Sequence, residues 1–88
     1  MKDLKDLIVE TFVEAYNKAF PKKKITKDDL YWEVAQNCEF LCIDGYDIGI
    51  SVYKNKIGFN ESTPWEVMVK IDDLEEIKKQ TTAIAENG

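Results

Sequence analysis

Two cysteines and several pairs of acidic residues are the side chains in this sequence that could carry out catalysis or bind a metal. Cys38 and Cys42 are four positions apart, about 13 Å on a strand, whereas a disulfide needs Cα atoms within about 7 Å. Together they could supply half of the thiolates of a four-cysteine zinc site. We therefore predict two free thiols, no bound metal and a reducing compartment.

The absence of histidine removes the commonest general base and the commonest nitrogen ligand of zinc. A Ser-His-Asp or Cys-His catalytic centre is therefore excluded. Paired carboxylates could still hydrolyse a glycoside or bind magnesium if a cleft held them together. The acidic pairs instead occupy places that favour acidic residues for structural reasons, since Asp28-Asp29 and Asp72-Asp73 lie at the N-termini of predicted helices and Asp44 lies in a predicted turn. We predict no enzymatic activity and no cofactor.

The balance of charge argues against direct binding to nucleic acid or to an anionic membrane. Seventeen acidic residues against twelve basic ones give a net charge of −5, which favours basic protein surfaces. Every basic residue is a lysine, so the guanidinium group that reads phosphates and guanine edges is missing. Codon usage that favours lysine is the alternative explanation. The basic run at residues 22–27 is explained by a solvated loop at the negative C-terminal end of a helix.

Length and composition predict a single compact domain over residues 1–88. A chain of 88 residues buries roughly 60 to 65% of the surface that it exposes when unfolded. Hydrophobic residues make up 44% of the sequence, enough to form a core without a disulfide or a metal. We find no secretion signal, and the apolar runs are shorter than the roughly 20 residues of a membrane span. We expect a cytoplasmic protein that is not inserted in a membrane.

A long amphipathic helix is predicted from Lys2 to Phe20, and Pro21 ends it. Its apolar residues recur every three or four positions, as one face of a helix requires: Leu4, Ile8, Phe12, Ala15 and Ala19. A second stripe makes the apolar arc wider than a helix on a sheet needs: Val9, Val13, Tyr16 and Phe20. The additional arc predicts either a second neighbour within the chain or a contact with another molecule.

Residues 27–36 are compatible with two structures. Thr26 precedes Asp29 by three positions, which is the spacing of a capping box at the start of a helix. A strand is also compatible with the alternation of apolar residues in this run: Leu30, Trp32 and Val34. We predict the short helix, because it would cover the wide arc of the first helix.

The dipeptide Asp44-Gly45 lies between two apolar runs and predicts a β-hairpin with a type I′ turn. A two-residue loop pairs Ile43 with Tyr46, and then Leu41 with Ile48. This register places the aliphatic side chains of both strands on one face of the sheet.

The same register raises a difficulty at the start of the hairpin. It sets Phe40 opposite Gly49 on the second face, where a ring can cover the glycine. It also points Glu39 to the aliphatic side, beside Ile50, unless the pairing stops or a bulge intervenes. The sequence leaves both of these possibilities open.

The remaining segments predict two more strands and a final helix. A reversal at residues 54–56 leads to a strand at 57–59, and a turn at 60–64 leads to a strand at 65–71. Asp72 is then placed to cap a helix, with Glu75 at the capping-box position. The predicted fold is α+β, a two-layer sandwich in which a four-stranded antiparallel β-meander packs one face against the N-terminal and C-terminal helices, in the order α-(α)-β-β-β-β-α.

The second sheet face and its margin carry the residues that we expect to bind a partner. Phe40 and Tyr53 form an aromatic platform, with Trp65 and Met68 as apolar anchors. Carboxylates surround them as a charged fringe: Glu61, Glu66, Asp72, Asp73 and Glu76. Acidic side chains beside exposed apolar anchors can occupy a basic groove that otherwise binds nucleic acid. A surface that only keeps the protein soluble is the alternative.

In size, acidity, missing catalytic residues and α+β pattern, the chain is similar to small acidic inhibitors of phages and other mobile elements, including anti-CRISPR proteins and toxin-neutralising immunity proteins. The similarity is one of general character and rests on no residue motif. It implies a non-enzymatic module that blocks a basic, nucleic-acid-binding surface of a protein partner. The alternative is a homodimeric structural or accessory domain that pairs through the open sheet face or the first helix.

Overall fold

The computed structural model describes residues 3–60 and 66–87. These residues form two α-helices, one short 3₁₀ helix and five strands. In chain order they are α1 (Leu4–Ala19), the 3₁₀ helix (Lys27–Asp29), β1 (Leu30–Val34), β2 (Glu39–Ile43), β3 (Tyr46–Val52), β4 (Lys56–Phe59), β5 (Val67–Lys70) and α2 (Leu74–Asn87).

The five strands form one antiparallel meander in the order β1-β2-β3-β4-β5. Both helices pack on the same face of this sheet and share its core. Buried apolar side chains from both layers form that core: Ile8, Phe12, Leu30, Leu41, Ile50, Ile57, Phe59, Val69, Ile77, Ile84 and Ala85. The predicted α+β two-layer sandwich is confirmed, with five strands in place of the four predicted.

The additional strand is β1, so the helix predicted for residues 27–36 is wrong. The capping box does form, because Thr26 N–H donates to Asp29 Oδ2 at 2.8 Å, but it starts only the three-residue 3₁₀ helix. From Leu30 onward the chain pairs with β2, and Leu30 is buried in the core. Strand pairing satisfies this segment's backbone and buries apolar surface, and together these outweigh a local helix signal.

The wide apolar arc of α1 is covered within the chain. Val9 and Val13 are half-buried against the core, as are Ile25 and Trp32. Asn17 fixes the connection after α1, because its Nδ2 donates to Ile25 O at 2.8 Å and its Oδ1 accepts from Ile25 N–H at 2.7 Å. The loop and β1 therefore take the place that we predicted for a second helix.

The predicted hairpin turn is confirmed. Asp44 and Gly45 have φ values of 50° and 83°, the left-handed pair that a type I′ turn requires. Ile43 pairs with Tyr46 as predicted.

Beyond the first two pairs of the hairpin the register shifts, so the predicted pairs Leu41–Ile48 and Phe40–Gly49 are wrong. Phe40 lies opposite Ser51, and the irregularity falls between Phe40 and Cys42. Gly49, with φ 100°, absorbs it on β3, since glycine adopts this conformation without a steric penalty. The irregular ladder is the bulge that the sequence left open.

Glu39 stays on the helix-covered side of the sheet, where an ion pair accommodates its charge. This residue now lies opposite Val52, and its carboxylate forms an ion pair with Lys5 of α1. At the other end of the chain, α2 begins one residue later than predicted. Its cap is Asp73, whose Oδ1 accepts from Glu76 N–H at 3.3 Å.

Candidate partner-binding surface

The sheet face away from the helices, here called the open face, carries one row of residues that crosses all five strands. Each member lies directly opposite the next in the ladder: Glu33, Phe40, Ser51, Gly58 and Met68. Opposed residues of antiparallel strands point to the same side. Ser51 and Gly58 are small and buried, Phe40 is half-buried beside Ser51, and Met68 is 43% exposed at the margin. The row is thus low at its centre and rises at its apolar flanks.

A carboxylate is held over the centre of this row. A Cβ at Gly58 would lie 2.8 Å from Glu66 Oε2, so the Glu66 side chain extends across β4 where glycine leaves room for it. Tyr53 O–H donates to this carboxylate, at 3.1 Å from Oε2 and 3.4 Å from Oε1. Lys56 Nζ lies 5.9 Å from the centroid of the Tyr53 ring. The exposed Glu66 charge therefore has a defined position beside Met68.

The surroundings of Tyr53 keep its phenol protonated. Partial burial raises the pKa of Tyr53, and the hydrogen bond to Glu66, the charge of that carboxylate and the nearby Cys38 act in the same direction. A protonated phenol can donate to Glu66 at neutral pH, whereas a phenolate would repel it. Tyr53 and Glu66 thus form one polar unit on the open face.

The second row of the open face joins Tyr31, Cys42 and Asp47. Tyr31 Oη accepts from Gly45 N–H at 3.0 Å, which fixes the phenol beside the hairpin turn. Cys42 is only 4% exposed. Burial raises the pKa of its thiol, and the charges of Asp47 and Glu33 raise it further. A protonated and covered thiol is a poor nucleophile and a poor metal ligand.

The structure places four of the predicted partner-binding residues on the open face: Phe40, Tyr53, Glu66 and Met68. Trp65 and Glu61, which we also predicted to bind, lie outside the described residues.

The remaining predicted residues lie at the connection from β5 to α2. Asp72 and Asp73 are exposed there, and Asp73 caps the helix. Glu76 Oε2 accepts from Gln80 Nε2 at 2.9 Å. Asp72 lies beyond the end of β5, in a turn that the hydrogen bond from Asp73 N–H to Lys70 O closes at 3.1 Å. The predicted acidic fringe therefore consists of Glu66 on the open face and a separate group at the start of α2.

Sequence reasoning missed two residues of the open face, Tyr31 and Glu33. Both belong to β1, and Tyr31 is 40% exposed. The signal that could have found them was the alternation of residues 30–34, which the predicted helix overrode. Once these residues form a strand, every second side chain faces away from the helices.

Two cavities border the helices. A groove of about 610 Å³ runs between the outer sides of α1 and α2. A second cavity of about 380 Å³ lies beside the β2–β3 turn, where Tyr16 and Tyr46 line it. Within residues 3–60 and 66–87, no cluster of three acidic or cysteine side chains is arranged to hold a metal ion.

Comparison of this chain with protein-family models, with curated proteins and with solved structures gave no match. In the part of the chain that the structure describes, neither helix combines the length and the apolarity that crossing a membrane requires.

Proposed function

We propose that this chain is a non-enzymatic protein-binding module whose open face occupies a basic, nucleic-acid-binding surface of a partner protein. The observation that carries the proposal is the fixed Glu66 carboxylate, hydrogen-bonded by Tyr53 and flanked by the exposed Met68. A positioned charge beside an apolar anchor is what a cationic protein surface can recognise with little loss of side-chain entropy.

The distribution of charge supports a basic partner. The open face presents the carboxylates of Glu33, Asp47 and Glu66, whereas its lysines, Lys56 and Lys70, pair with each other at one end of the ladder. The whole chain is also negative, with a net charge of −5. Long-range attraction should therefore speed its encounter with a cationic surface.

The group at the start of α2 is proposed as the outer fringe of this contact. Asp72, Asp73 and Glu76 lie past the end of β5, so a partner that covers Met68 reaches them only by extending along that strand. Contacts at such a rim change the association rate more than the affinity. We therefore assign the binding energy to the open face.

The proposed biological setting is that of a small inhibitor of a phage or other mobile element, similar in character to anti-CRISPR and immunity proteins. Both cysteines are free, which agrees with the reducing cytoplasm that we propose as the compartment. This part of the proposal rests on class and charge alone.

The test has two stages. The tagged chain is first used to capture partners from host lysate in low and high salt, since screening weakens a charge-driven contact. Nucleic acid bound to the purified partner is then titrated with the chain, and its release is followed by fluorescence anisotropy. We expect release at stoichiometric concentrations. A captured partner that keeps its nucleic acid would contradict the blocking function.

Matched charge reversals locate the contact. Glu66→Lys reverses the charge on the open face, and Glu14→Lys makes the same net change on an exposed position of α1. We expect Glu66→Lys to weaken partner binding at least about tenfold, the equivalent of about 1.4 kcal/mol, and Glu14→Lys to leave it within a factor of about two. Equal effects of the two variants would show that only net charge matters.

The homodimeric accessory domain remains the alternative. Its first-helix version is less favoured, because Val9 and Val13 pack against the core within one copy. Its open-face version predicts that Tyr53→Asp dissolves a dimer, which a mass measurement by light scattering would detect. A Tyr53→Asp protein with the mass of the wild type would exclude pairing through this face.

A further inference from the structure

The two outer strands of the sheet differ in how well their edges are protected against pairing. β5 has four residues, and Lys70, paired with Lys56, places two ammonium groups at one end of its ladder. β1 has five residues, with no lysine or proline among them. Charged residues, prolines and shortness are the devices by which proteins blunt free strand edges. Of these devices β1 carries only the charge of Glu33, and its Val34 is 79% exposed.

The hydrogen-bond pattern shows which backbone groups of β1 point outward. Ala35 N–H donates to Cys38 O at 2.8 Å, just beyond the last ladder pair. Inward-bonded and outward-facing residues alternate along an antiparallel strand, so Tyr31 and Glu33 bond to β2. Trp32 and Val34 therefore direct their N–H and C=O groups away from the sheet. In the described residues, no other segment bonds to this edge.

The backbone of Leu30 also faces outward in this alternation, but only one of its two polar groups is available to pair with another strand. Its N–H already donates to Lys27 O of the 3₁₀ helix. Its carbonyl is left to accept a hydrogen bond from an added strand.

A second copy of β1 fits this edge in one register. With Trp32 opposite Trp32 of the second copy, Leu30 faces Val34 and Tyr31 faces Glu33, so no like charges meet. If the second strand shifts by two residues in one direction, Glu33 lies opposite Glu33 of the second copy. If it shifts by two residues in the other direction, Glu33 lies opposite Asp29. A shift of one residue opposes an outward backbone group with an inward one. Like charges directly opposite each other destabilise a ladder.

We propose that β1 pairs antiparallel with β1 of a second copy of this chain, across a two-fold axis at Trp32. Trp32 exchanges both backbone hydrogen bonds with its counterpart, and Val34 N–H donates to the Leu30 carbonyl of the other copy. The sheets join into one, with all helices on the same side. The interface closes on itself because its two halves are identical.

This proposal goes beyond the proposed function and does not depend on it. The open faces of the two copies become one continuous surface. Met68 on β5, and Glu66 just before that strand, lie at the far ends of the joined sheet. Loss of the dimer and loss of partner binding are thus measured by separate variants.

Amide hydrogen exchange of the full chain at several concentrations tests the edge directly. We expect the Trp32 and Val34 amides to exchange fast when dilute and to become protected as concentration rises, in step with the mass from sedimentation equilibrium. The Tyr31 and Glu33 amides, bonded to β2, should be protected throughout. A chain that stays monomeric up to about 1 mM, or protection at other sites only, would overturn the proposal.

Substitutions at Val34 separate pairing from folding. Val34→Pro removes an N–H that faces solvent in the monomer, where a sheet edge tolerates proline, and Val34→Thr keeps both the N–H and the β-branch. We expect the proline variant to raise the dimer dissociation constant at least about tenfold and the threonine variant to change it less than about threefold. Equal constants would overturn the proposal.

Charge at position 31 tests the register even if the proline variant fails to fold. Tyr31→Glu and Tyr31→Lys both lose the hydrogen bond from Gly45 N–H, so their difference reports the charge that they meet. Opposite Glu33 of the second copy, glutamate should weaken the dimer and lysine strengthen it, by about fivefold in each direction at low salt. The reverse order, or no difference, would contradict the register.

Discussion

The two faces of this sheet are built from alternate residues of the same strands, yet they differ in almost every physical property. The face under the helices is made of large aliphatic and aromatic side chains, and Ile50, Ile57 and Phe59 are fully buried there. The open face has Ser51 and Gly58 at its centre, with the Glu66 carboxylate over Gly58 and the Tyr53 hydroxyl hydrogen-bonded to that carboxylate.

This difference teaches that fold and recognition can be changed separately in a small sheet. Burial of apolar surface supplies most of the stability, and it is concentrated on the covered face. Exposed side chains of the open face, such as Met68, contribute little to that burial, so their identities can follow a partner. The predictions below test how complete this separation is, from the largest expected effect to the smallest.

Truncation of one large side chain on each face should give very different losses of stability. Phe59→Ala opens a cavity in the covered core and should lower the free energy of unfolding by about 3 to 5 kcal/mol, a large part of the roughly 5 to 15 kcal/mol of a small domain. Met68→Ala on the open face should cost less than about 1 kcal/mol. Urea unfolding measures both, and similar losses would break the comparison.

The bulge at Gly49, in the ladder that both faces share, should show the next largest loss of stability on substitution. At Gly49 an added Cβ would lie 2.4 Å from Asn60 O, and φ is 100°. We expect Gly49→Ala to cost roughly 2 to 4 kcal/mol from strain and backbone displacement. Gly45→Ala is the control, because φ is 83° but nothing lies within 4 Å of the added Cβ. It should cost only about 1 kcal/mol, as measured by urea unfolding.

The two cysteines sharpen the comparison within the open face itself. Cys42 is buried and its thiol pKa is raised, whereas Cys38 is half-buried. Since the thiolate is the reactive form, iodoacetamide should modify Cys42 on the order of tenfold more slowly than Cys38. Mass spectrometry of timed samples gives both rates, and unfolding in guanidinium should make them similar. Equal rates in the native protein would show that the open face does not cover Cys42.

The smallest effect is expected for Tyr53, and it depends on pH. Its pKa is raised above the ordinary value of 10.0, so folding favours the protonated phenol. The resulting stability is complete below pH 10 and is lost as pH rises through the folded-state pKa. At neutral pH, Tyr53→Phe should cost at most about 1 kcal/mol.

Above about pH 10, the free energy of unfolding should fall more steeply for the wild type than for Tyr53→Phe. Tyr46→Phe is the matched control, because Tyr46 is 74% exposed. Thermal unfolding at several pH values supplies the comparison. A pH profile of Tyr53→Phe parallel to the wild type would contradict the described hydrogen bond with Glu66.

The open face shows how far its residues could be predicted. Tyr53, Phe40 and Met68 were found because alternation within a strand assigns each residue to a face. The pairing of Tyr53 with Glu66 was not predicted, since it joins residues thirteen positions apart through a glycine on the strand between them. Tyr31 was missed, because a capping box pointed to a helix that does not form.

Local patterns by themselves determined the two helices, the Asp44-Gly45 turn and the division of the strands into an apolar and a mixed face. Each of these depends on residues close in sequence, whose periodicity or backbone preference predicts the local structure without information from the rest of the chain. The tertiary structure alone decided that residues 30–34 are a strand, that the ladder bulges at Gly49, and that Glu66 lies over Gly58. In each of these the deciding partner belongs to a neighbouring strand, because backbone pairing and side-chain space come from whichever segment folds alongside.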